Sequence, residues 1–543
     1  MENPELFTDT PALEISNLNF RYLRREDYAL HSLSFNVQPG EVLLIAGASG
    51  CGKTTLMRCI NGLIPRTYHG DLSGEIRIFG KSIAEMLMPE LSQQVGTLLQ
   101  DPERQIVGSY VLNEVAFGLE NLGLPREEIL DRVDETLRFL GILHLRDRET
   151  FSISGGEKQK VALAGVLSMK PSILLLDEPL ASLDPMSSNE ALHFFRWLAD
   201  QGIAIMIVEH RVEDVLTIQP DNVLYLEAGK QQYYGNVDGL LRVVDYHKLK
   251  LPAQIIFDRA KNEPPPIFNS LLHTMHDKPP LISFEDIHFQ YDPDLPEVLH
   301  DINFKVYPGD VVAILGHNGA GKTTLVKHAL GLLKPTQGSV LLDGKDTRKI
   351  TVAQAARTVG YVFQSPSQML FAPTVSDELE FGPRNLHFPP EMIKQNVDWA
   401  IHTVHLESEL QSPPLGLSFG QQKRISIAAV LAMRSKILMM DEPTAGQDYW
   451  NYLAFMDSIL QMPGFDAILF ITHDLDLAVI YANRIILIYD GEIIADGTPN
   501  EVLADETRLT QCRILPTSLL KLNQQNFSQT GQFMRAEQLA HHI

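Results

Sequence analysis

The residues best suited to chemistry are two lysines, each near the end of a glycine-rich stretch: Gly47-Ala48-Ser49-Gly50-Cys51-Gly52-Lys53-Thr54-Thr55 and Gly316-His317-Asn318-Gly319-Ala320-Gly321-Lys322-Thr323-Thr324. Each follows a short apolar run, Val42 to Ala46 or Val311 to Leu315, and precedes a helical pattern. Glycines at this spacing let the backbone curl round a phosphate chain with its N–H groups facing inward, and the next helix adds the positive end of its dipole. The lysine then reaches the outer phosphates, and the hydroxyl of Thr54 or Thr323 is suited to Mg2+. The plainer reading is an ordinary strand-to-helix turn. Its occurrence twice, with the same lysine-threonine ending, favours nucleotide binding.

Two carboxylate pairs support that chemistry. Asp177-Glu178 and Asp441-Glu442 end the apolar runs Ile173 to Leu176 and Ile437 to Met440. A carboxylate at the tip of a buried strand beside a phosphate loop can hold Mg2+. A second one, a position later, can orient and polarise an attacking water. A serine-glycine stretch precedes each pair by 23 residues (177 − 154 and 441 − 418): Ser154-Gly155-Gly156-Glu157 and Ser418-Phe419-Gly420-Gln421. Each opens a helical pattern, where free N–H groups and the dipole favour an anion; alone, the stretch reads as a plain N-cap.

The elements that must hold these residues are written twice. Equivalent positions differ by 269 up to the loop lysines (322 − 53) and by 264 from the downstream glutamines to the carboxylates (364 − 100 and 441 − 177). Each copy opens with alternating apolar segments ending at Pro39-Gly40 or Pro308-Gly309, which read as antiparallel strands. The middle of each copy, about residues 125–145 and 389–410, has helical spacing. Short, wholly apolar runs come late in each copy and suit parallel strands buried on both faces. The expected fold is therefore α/β: tandem nucleotide-binding domains of P-loop type, each with a parallel-sheet core, an antiparallel β subdomain and a helical subdomain. The expected boundaries are 1–250 and 281–505 for the two domains, a proline-rich, helix-free spacer at 251–280 and a loosely held tail, with at most a short helix, at 506–543.

Composition narrows the function classes. A chain of 543 residues exceeds one hydrophobic core. Its formal net charge of −23 argues against sequence-blind nucleic-acid binding. Three cysteines do not make a disulfide framework. No run approaches the length of a membrane span, so a role at a membrane would need another chain to cross it.

Taken in order, the lysine loop, a downstream glutamine (Gln100, Gln364), the LSGGQ-like stretch, the Asp-Glu pair, Ser182-Leu183-Asp184 or Gly446-Gln447-Asp448, and a late histidine (His210, His473) resemble the ATP-binding cassette (ABC) ATPases over nearly the whole chain. The resemblance implies Glu178 and Glu442 as catalytic carboxylates. It implies His210 and His473 at the γ-phosphate, and Gln100 and Gln364 as sensors that, with Thr54, Asp177, Thr323 and Asp441, also face Mg2+. It implies Tyr22 and Tyr291 stacked on adenine. Each ATP would lie between the phosphate loop of one copy and the signature of the other: Ser418, Gly420 and Gln421 completing the first site, Ser154, Gly155, Gly156 and Glu157 the second. Phe419, in place of a signature glycine, implies sites of unequal rate.

Segments after each glutamine, Gln100 to Val107 with Glu114 to Asn121 and Gln364 to Phe371 with Glu378 to Asn385, together with Val208-Glu209-His210-Arg211, look like the energy-coupling-factor (ECF) branch of importers. That likeness implies a transmembrane scaffold subunit and a substrate-binding membrane component as partners, a peripheral position on the cytoplasmic face of the cell membrane, and cargo that is a vitamin, vitamin precursor or metal ion, with a thiamine-related compound suggested by the fused format. Apolar Ile106, Val107, Met369, Leu370 and Phe371 read as a docking patch, and acids Asp101, Glu103, Glu114, Asp377 and Glu378 as groups that meet a basic partner. The rival class is a soluble twin-cassette ATPase acting on ribosomes or DNA. The short linker and acidic chain weigh against it.

Overall fold

The computed structural model describes residues 10–23, 26–181, 183–265, 277–443 and 449–543, with all of their side chains except that of Phe419. Expectations placed on Ser182, on Gly446-Gln447-Asp448, on Pro266 and on the Phe419 side chain lie outside the described residues.

The chain divides into two compact units, one built mainly of residues up to Leu251 and the other mainly of residues from Pro252 onward. In the first unit the strands Val95–Leu98, Ile173–Asp177, Ala204–Val208, Val42–Ala46 and Asn222–Glu227 pair in parallel in that order. Every residue of Val42–Ala46 and Ala204–Val208 is buried, as strands covered on both faces by helices require. The second unit repeats the arrangement with Val359–Val362, Ile437–Asp441, Ala467–Ile471, Val311–Leu315 and Arg484–Tyr489. In both, the strand that feeds the glycine-rich loop is central. The loop and the Asp-Glu pair therefore leave the same carboxyl edge of the sheet, where ligands bind in open α/β folds.

An antiparallel layer accompanies each core: Leu13–Tyr22, Leu30–Val37 and Gly70–Ile78 in the first unit, Ile282–Phe289, Leu299–Val306 and Gln337–Leu342 in the second. A helical subdomain completes each unit. In the first, Val111–Asn121, Arg126–Phe139 and Gly155–Ser168 close over Val111, Val115, Leu119, Val133, Leu137 and Val161. Val375–Asn385, Pro390–Thr403 and Phe419–Ala432 are the counterparts. The α/β expectation, with its three parts per copy, holds.

The chain end departs from the loose tail expected of it. Ser518–Thr530 and Ala536–His542 are helices, and Leu519, Leu520, Leu539 and Ala540 are buried. The stretch read as a helix-free spacer also contains a helix, Ala253–Ala260, which packs on both. It starts directly after Pro252, ends before the proline cluster, and buries Ile256 and Phe257. The polar run Gln524-Gln525-Asn526 obscured this. Asn523, just before it, is fully buried; its amide donates to the Met534 carbonyl (2.8 Å) and its oxygen accepts from the Met534 N–H (2.8 Å).

Candidate nucleotide site

The shape of each loop is dictated by its glycines. A Cβ on Gly47 would lie 2.3 Å from the Leu226 carbonyl oxygen, and one on Gly316 2.2 Å from that of Ile488. Neither fits without moving backbone. The middle glycines, Gly50 and Gly319, face open space but have φ of 78° and 88°, a region other residues enter at a cost. Inside each loop the buried lysine is held by main-chain oxygens: Lys53 Nζ donates to Gly47 (2.7 Å) and Ala48 (2.9 Å), Lys322 Nζ to Gly316 (2.8 Å) and His317 (2.8 Å). Burial lowers the Lys322 pKa, opposed by Glu442 and Asp441 nearby. Cys51 and Ala320 are buried packing residues of the loops. The His317 ring turns aside, with Nδ1 2.8 Å from the Asn318 carbonyl oxygen.

Thr54 and Thr323 are exposed at the helix start, beside the carboxylates. Thr323 donates to Asp441 (3.1 Å), which also accepts from the Tyr361 hydroxyl (3.0 Å). Burial and the neighbouring Glu178 push Asp177 up to about 6, and burial with Glu442 raises Asp441 as well. A carboxyl whose folded pKa exceeds its unfolded value binds extra protons when folded, so its ionisation destabilises the fold as pH rises through that window. Nucleotide-free Asp177→Asn protein should therefore melt higher than wild type at pH 7.5, by up to about 3 kcal/mol of stability. The gap should shrink as pH falls through 6 toward 4. A calorimetric difference that does not vary with pH would contradict this.

Glu178 and Glu442 share a strained backbone, with φ of 49° and 44°, and each donates its N–H to the neighbouring strand end, Val208 or Ile471 (2.9 Å in both). Repeated strain at one position points to a required side-chain direction. That direction brings Glu178 to Gln100 Nε2 (2.6 Å) and His210 Nε2 (3.1 Å), and Glu442 to His473 Nδ1 (2.8 Å). Burial opposes ionisation of Glu442, but His473 and Lys322 outweigh it and hold the carboxyl below its usual range. Gln100 and Gln364 are both exposed, and the main-chain carbonyl oxygen of Gln364 accepts from Lys423 Nζ (2.9 Å).

Tyr22 and Tyr291 lean over these loops in the same way. Their hydroxyls meet Thr55 (3.2 Å) and Thr324 (3.1 Å), and their rings stand edge-on to Phe20 and Phe289. In the first unit Tyr22, Lys53, Thr54, Glu178 and His210 line one cleft of about 1180 Å3. Within that unit, Ser154, Gly155, Gly156 and Glu157 are not part of the lining. Ser154 and Ser418 each cap a helix in a reciprocal box, with Glu157 and Gln421 returning to the serine N–H (2.8 and 3.1 Å). These bonds hold Glu157 below the usual carboxylate range. Gly155, Gly156 and Gly420 meet nothing within 4 Å of an added Cβ, so internal packing does not demand them.

Two residues that sequence reasoning passed over help to shape the sites. Glu209, 2% exposed, accepts from the backbone N–H groups of Leu180 (2.9 Å), His210 (3.0 Å) and Arg211 (3.3 Å), tying the segment after Glu178 to the histidine; burial pushes it up to about 7. Lys423, 1% exposed and drawn down to about 8 by burial, spans from its helix to the Phe363 and Gln364 carbonyls. Both stand among polar neighbours, His210 and Arg211 or Gln421, Gln422 and Arg424, so local sequence did not mark them as buried.

Two of the five acids expected to meet a partner are corrected, while Asp101, Glu103 and Asp377 are exposed. Glu114 and Glu378 are buried, 7% and 4% exposed. Glu114 accepts from the N–H groups of Val107 (2.8 Å) and Gly108 (2.7 Å), and Glu378 from those of Phe371 (2.9 Å) and Ala372 (2.8 Å). Asp101 caps the short helix Pro102–Gln105, Glu103 pairs with Lys158, and Asp377 accepts from Thr374. Leu370 is buried too, whereas Val107, Phe371, Phe117 and Phe381 are 49–64% exposed. Glu114→Ala should cost about 2–4 kcal/mol by stranding two buried N–H groups, and limited proteolysis should then cut within 101–110. Unchanged protection there would sink the structural assignment.

A phosphate-type loop on a central parallel strand, a strand-tip Asp-Glu pair and an adjoining histidine, present twice, define an ATP-hydrolysing enzyme with two nucleotide-binding cassettes. A family model described as ABC transporter matches residues 30–181 and 299–445, and the chain belongs to that family. It is 34% identical to a putative ABC transporter ATP-binding protein of Methanosarcina mazei, over 99% of this chain and 98% of the relative. It is also 34% identical to one of Bacillus cereus, over 94% and 95%. Among solved structures, cbiO1 from Clostridium perfringens, described as part of the ABC transporter complex cbiONQ, is 32% identical and covers 47% of this chain and 96% of its own, with a TM-score of 0.40.

Proposed function

We propose that the chain is the energising subunit of an ECF-type importer, hydrolysing ATP at two sites to drive uptake of a vitamin, vitamin precursor or metal ion through membrane partners. The observation that carries this reading is an exposed aromatic pair at equivalent positions. Phe117 and Phe381 sit on matching helices, directly after the segment that begins at the glutamine and carries exposed Val107 or Phe371, and the Phe371 and Phe381 rings meet edge to face. Exposed apolar groups repeated at matching places suit helices of a scaffold protein better than they suit water. Among the described residues no helix is long and apolar enough to cross a membrane, so the proposed spanning components are other chains.

At each site the loop N–H groups and Lys53 or Lys322 bind the phosphates. Tyr22 or Tyr291 offers a ring face to the base. Glu178 or Glu442, oriented by His210 or His473, accepts a hydrogen bond from the attacking water and takes its proton as oxygen bonds to the γ-phosphorus; the bond from that phosphorus to the bridging oxygen breaks and ADP leaves. Thr54 with Asp177, and Thr323 with Asp441, have the oxygen donors a magnesium ion prefers, with Gln100 and Gln364 beside them; the ion would neutralise phosphate charge. Open space before Gly155, Gly156 and Gly420 leaves the start of each signature helix, with Ser154 or Ser418, free to meet a phosphate. A thiamine-related cargo remains the substrate we favour, from the fused format.

Phe117→Asp combined with Phe381→Asp should reduce co-purification with membrane subunits at least tenfold, as charge placed in an apolar contact does. ATPase activity of the isolated chain should survive. Undiminished co-purification would overturn the docking face.

A further inference from the structure

We propose that the antiparallel subdomain of the second cassette carries a binding site for a zinc-class divalent cation, formed by His288, Glu297 and His300. These residues offer two imidazole nitrogens and one carboxylate oxygen, all within 4.8 Å of one another. His300 Nδ1 lies 2.9 Å from one Glu297 oxygen and His288 Nδ1 3.5 Å from the other. Ligand atoms at 2.0–2.2 Å from a tetrahedral zinc stand about 3.3 Å apart, so small side-chain rotations would complete the set. Nitrogen and oxygen donors of this kind favour zinc and neighbouring first-row metals over magnesium.

The backbone explains why the three residues meet. His288 precedes the end of strand Ile282–Phe289, and His300 follows the start of strand Leu299–Val306. The pairing shifts register between Ile287 and Phe289, with Ile287 opposite Ile302 and Phe289 opposite Leu299. That irregularity lets both imidazoles reach Glu297, in the loop joining the strands. A second feature is characteristic of metal-binding histidine. On its far side, His288 Nε2 faces Asp301 (3.5 Å) and Asp286 (3.7 Å). Carboxylates there favour the proton on Nε2 and leave the Nδ1 lone pair for a cation.

The first cassette is an internal control. At the corresponding positions, 269 residues earlier, stand Asn19, Tyr28 and His31, with Asn17 and Ser32 in place of the two aspartates. Asn19 there accepts from the Ser32 N–H (2.8 Å), an ordinary hairpin contact. The fold needs no carboxylate-histidine set at this corner, yet the second copy has one. A cation bound there would clamp both ends of the loop that carries Tyr291, a device the first cassette lacks.

The test is titration of the full-length, nucleotide-free chain with zinc chloride in competition with a chromophoric chelator. Wild type should take up one tightly held zinc that raises its melting temperature. The His288→Ala/His300→Ala variant should bind at least tenfold more weakly and lose that rise. Glu297→Gln, which keeps the side-chain shape, should weaken binding by itself, while His402→Ala, at an exposed histidine paired with Glu407, should not. No saturable one-per-chain uptake by wild type, or equal affinity in wild type and the correctly folded double variant, would overturn the proposal.

Discussion

Changing Glu178 and Glu442 together to Gln should lower ATP turnover by about 100-fold or more, the lower end of what a positioned general base contributes. The amide keeps the shape and the hydrogen bonds but cannot accept the water's proton. Each single variant should lose part of the turnover, because each copy holds its glutamate in the same left-handed backbone against its own histidine. The two losses should differ. The Gln100 side chain donates to Glu178, the main chain at Gln364 is held by Lys423, and Glu209 has no acidic counterpart at Thr472. Steady-state phosphate release by the two single variants and the double variant checks this. A single variant with wholly unchanged turnover would show that its cassette does not hydrolyse.

Lys53→Ala and Lys322→Ala should each weaken nucleotide binding at one site by about 10- to 100-fold, the range of a charge-assisted contact to phosphate. The loops themselves should survive. Their shape rests on Gly47 and Gly316, which pack against main-chain oxygens, and alanine at the lysine positions continues the following helices. Lys322→Ala should also raise the Glu442 pKa, because Lys322 is one of the two cations that hold that buried carboxyl ionised, and calorimetry of nucleotide-free protein should show stability falling as pH rises. Fluorescent-nucleotide titration together with calorimetry separates the effects. Full affinity in either variant would remove that loop from the site.

The parts legible in the sequence were those that a short local pattern determines. A glycine-rich loop between an apolar run and a helix, an Asp-Glu pair after another apolar run, and a constant offset between copies need no knowledge of packing. What stayed hidden depended on distant partners. Glu114 and Glu378 look like solvated acids, yet each binds two N–H groups of the loop before its helix. The repeat held a usable signal: Glu114 recurs as Glu378 (378 − 114 = 264), whereas Asp101 and Glu103 become Ser365 and Ser367. An acid that keeps its place while exposed neighbours change is serving the fold. The tail helices were missed because Leu519, Leu520 and Leu539 find their cover in Ala253–Ala260, far away along the chain. Backbone strain at Glu178 and Glu442 leaves no mark in composition at all.

The central claim is that one chain holds two complete ATP sites. Its most direct test is the number of Mg-ATP molecules retained by the Glu178→Gln/Glu442→Gln variant at saturation, measured by equilibrium dialysis with labelled nucleotide. Two per chain are expected, falling to one when Lys53→Ala or Lys322→Ala is added. A value of one in the parent variant, or of two after either lysine is removed, would contradict it.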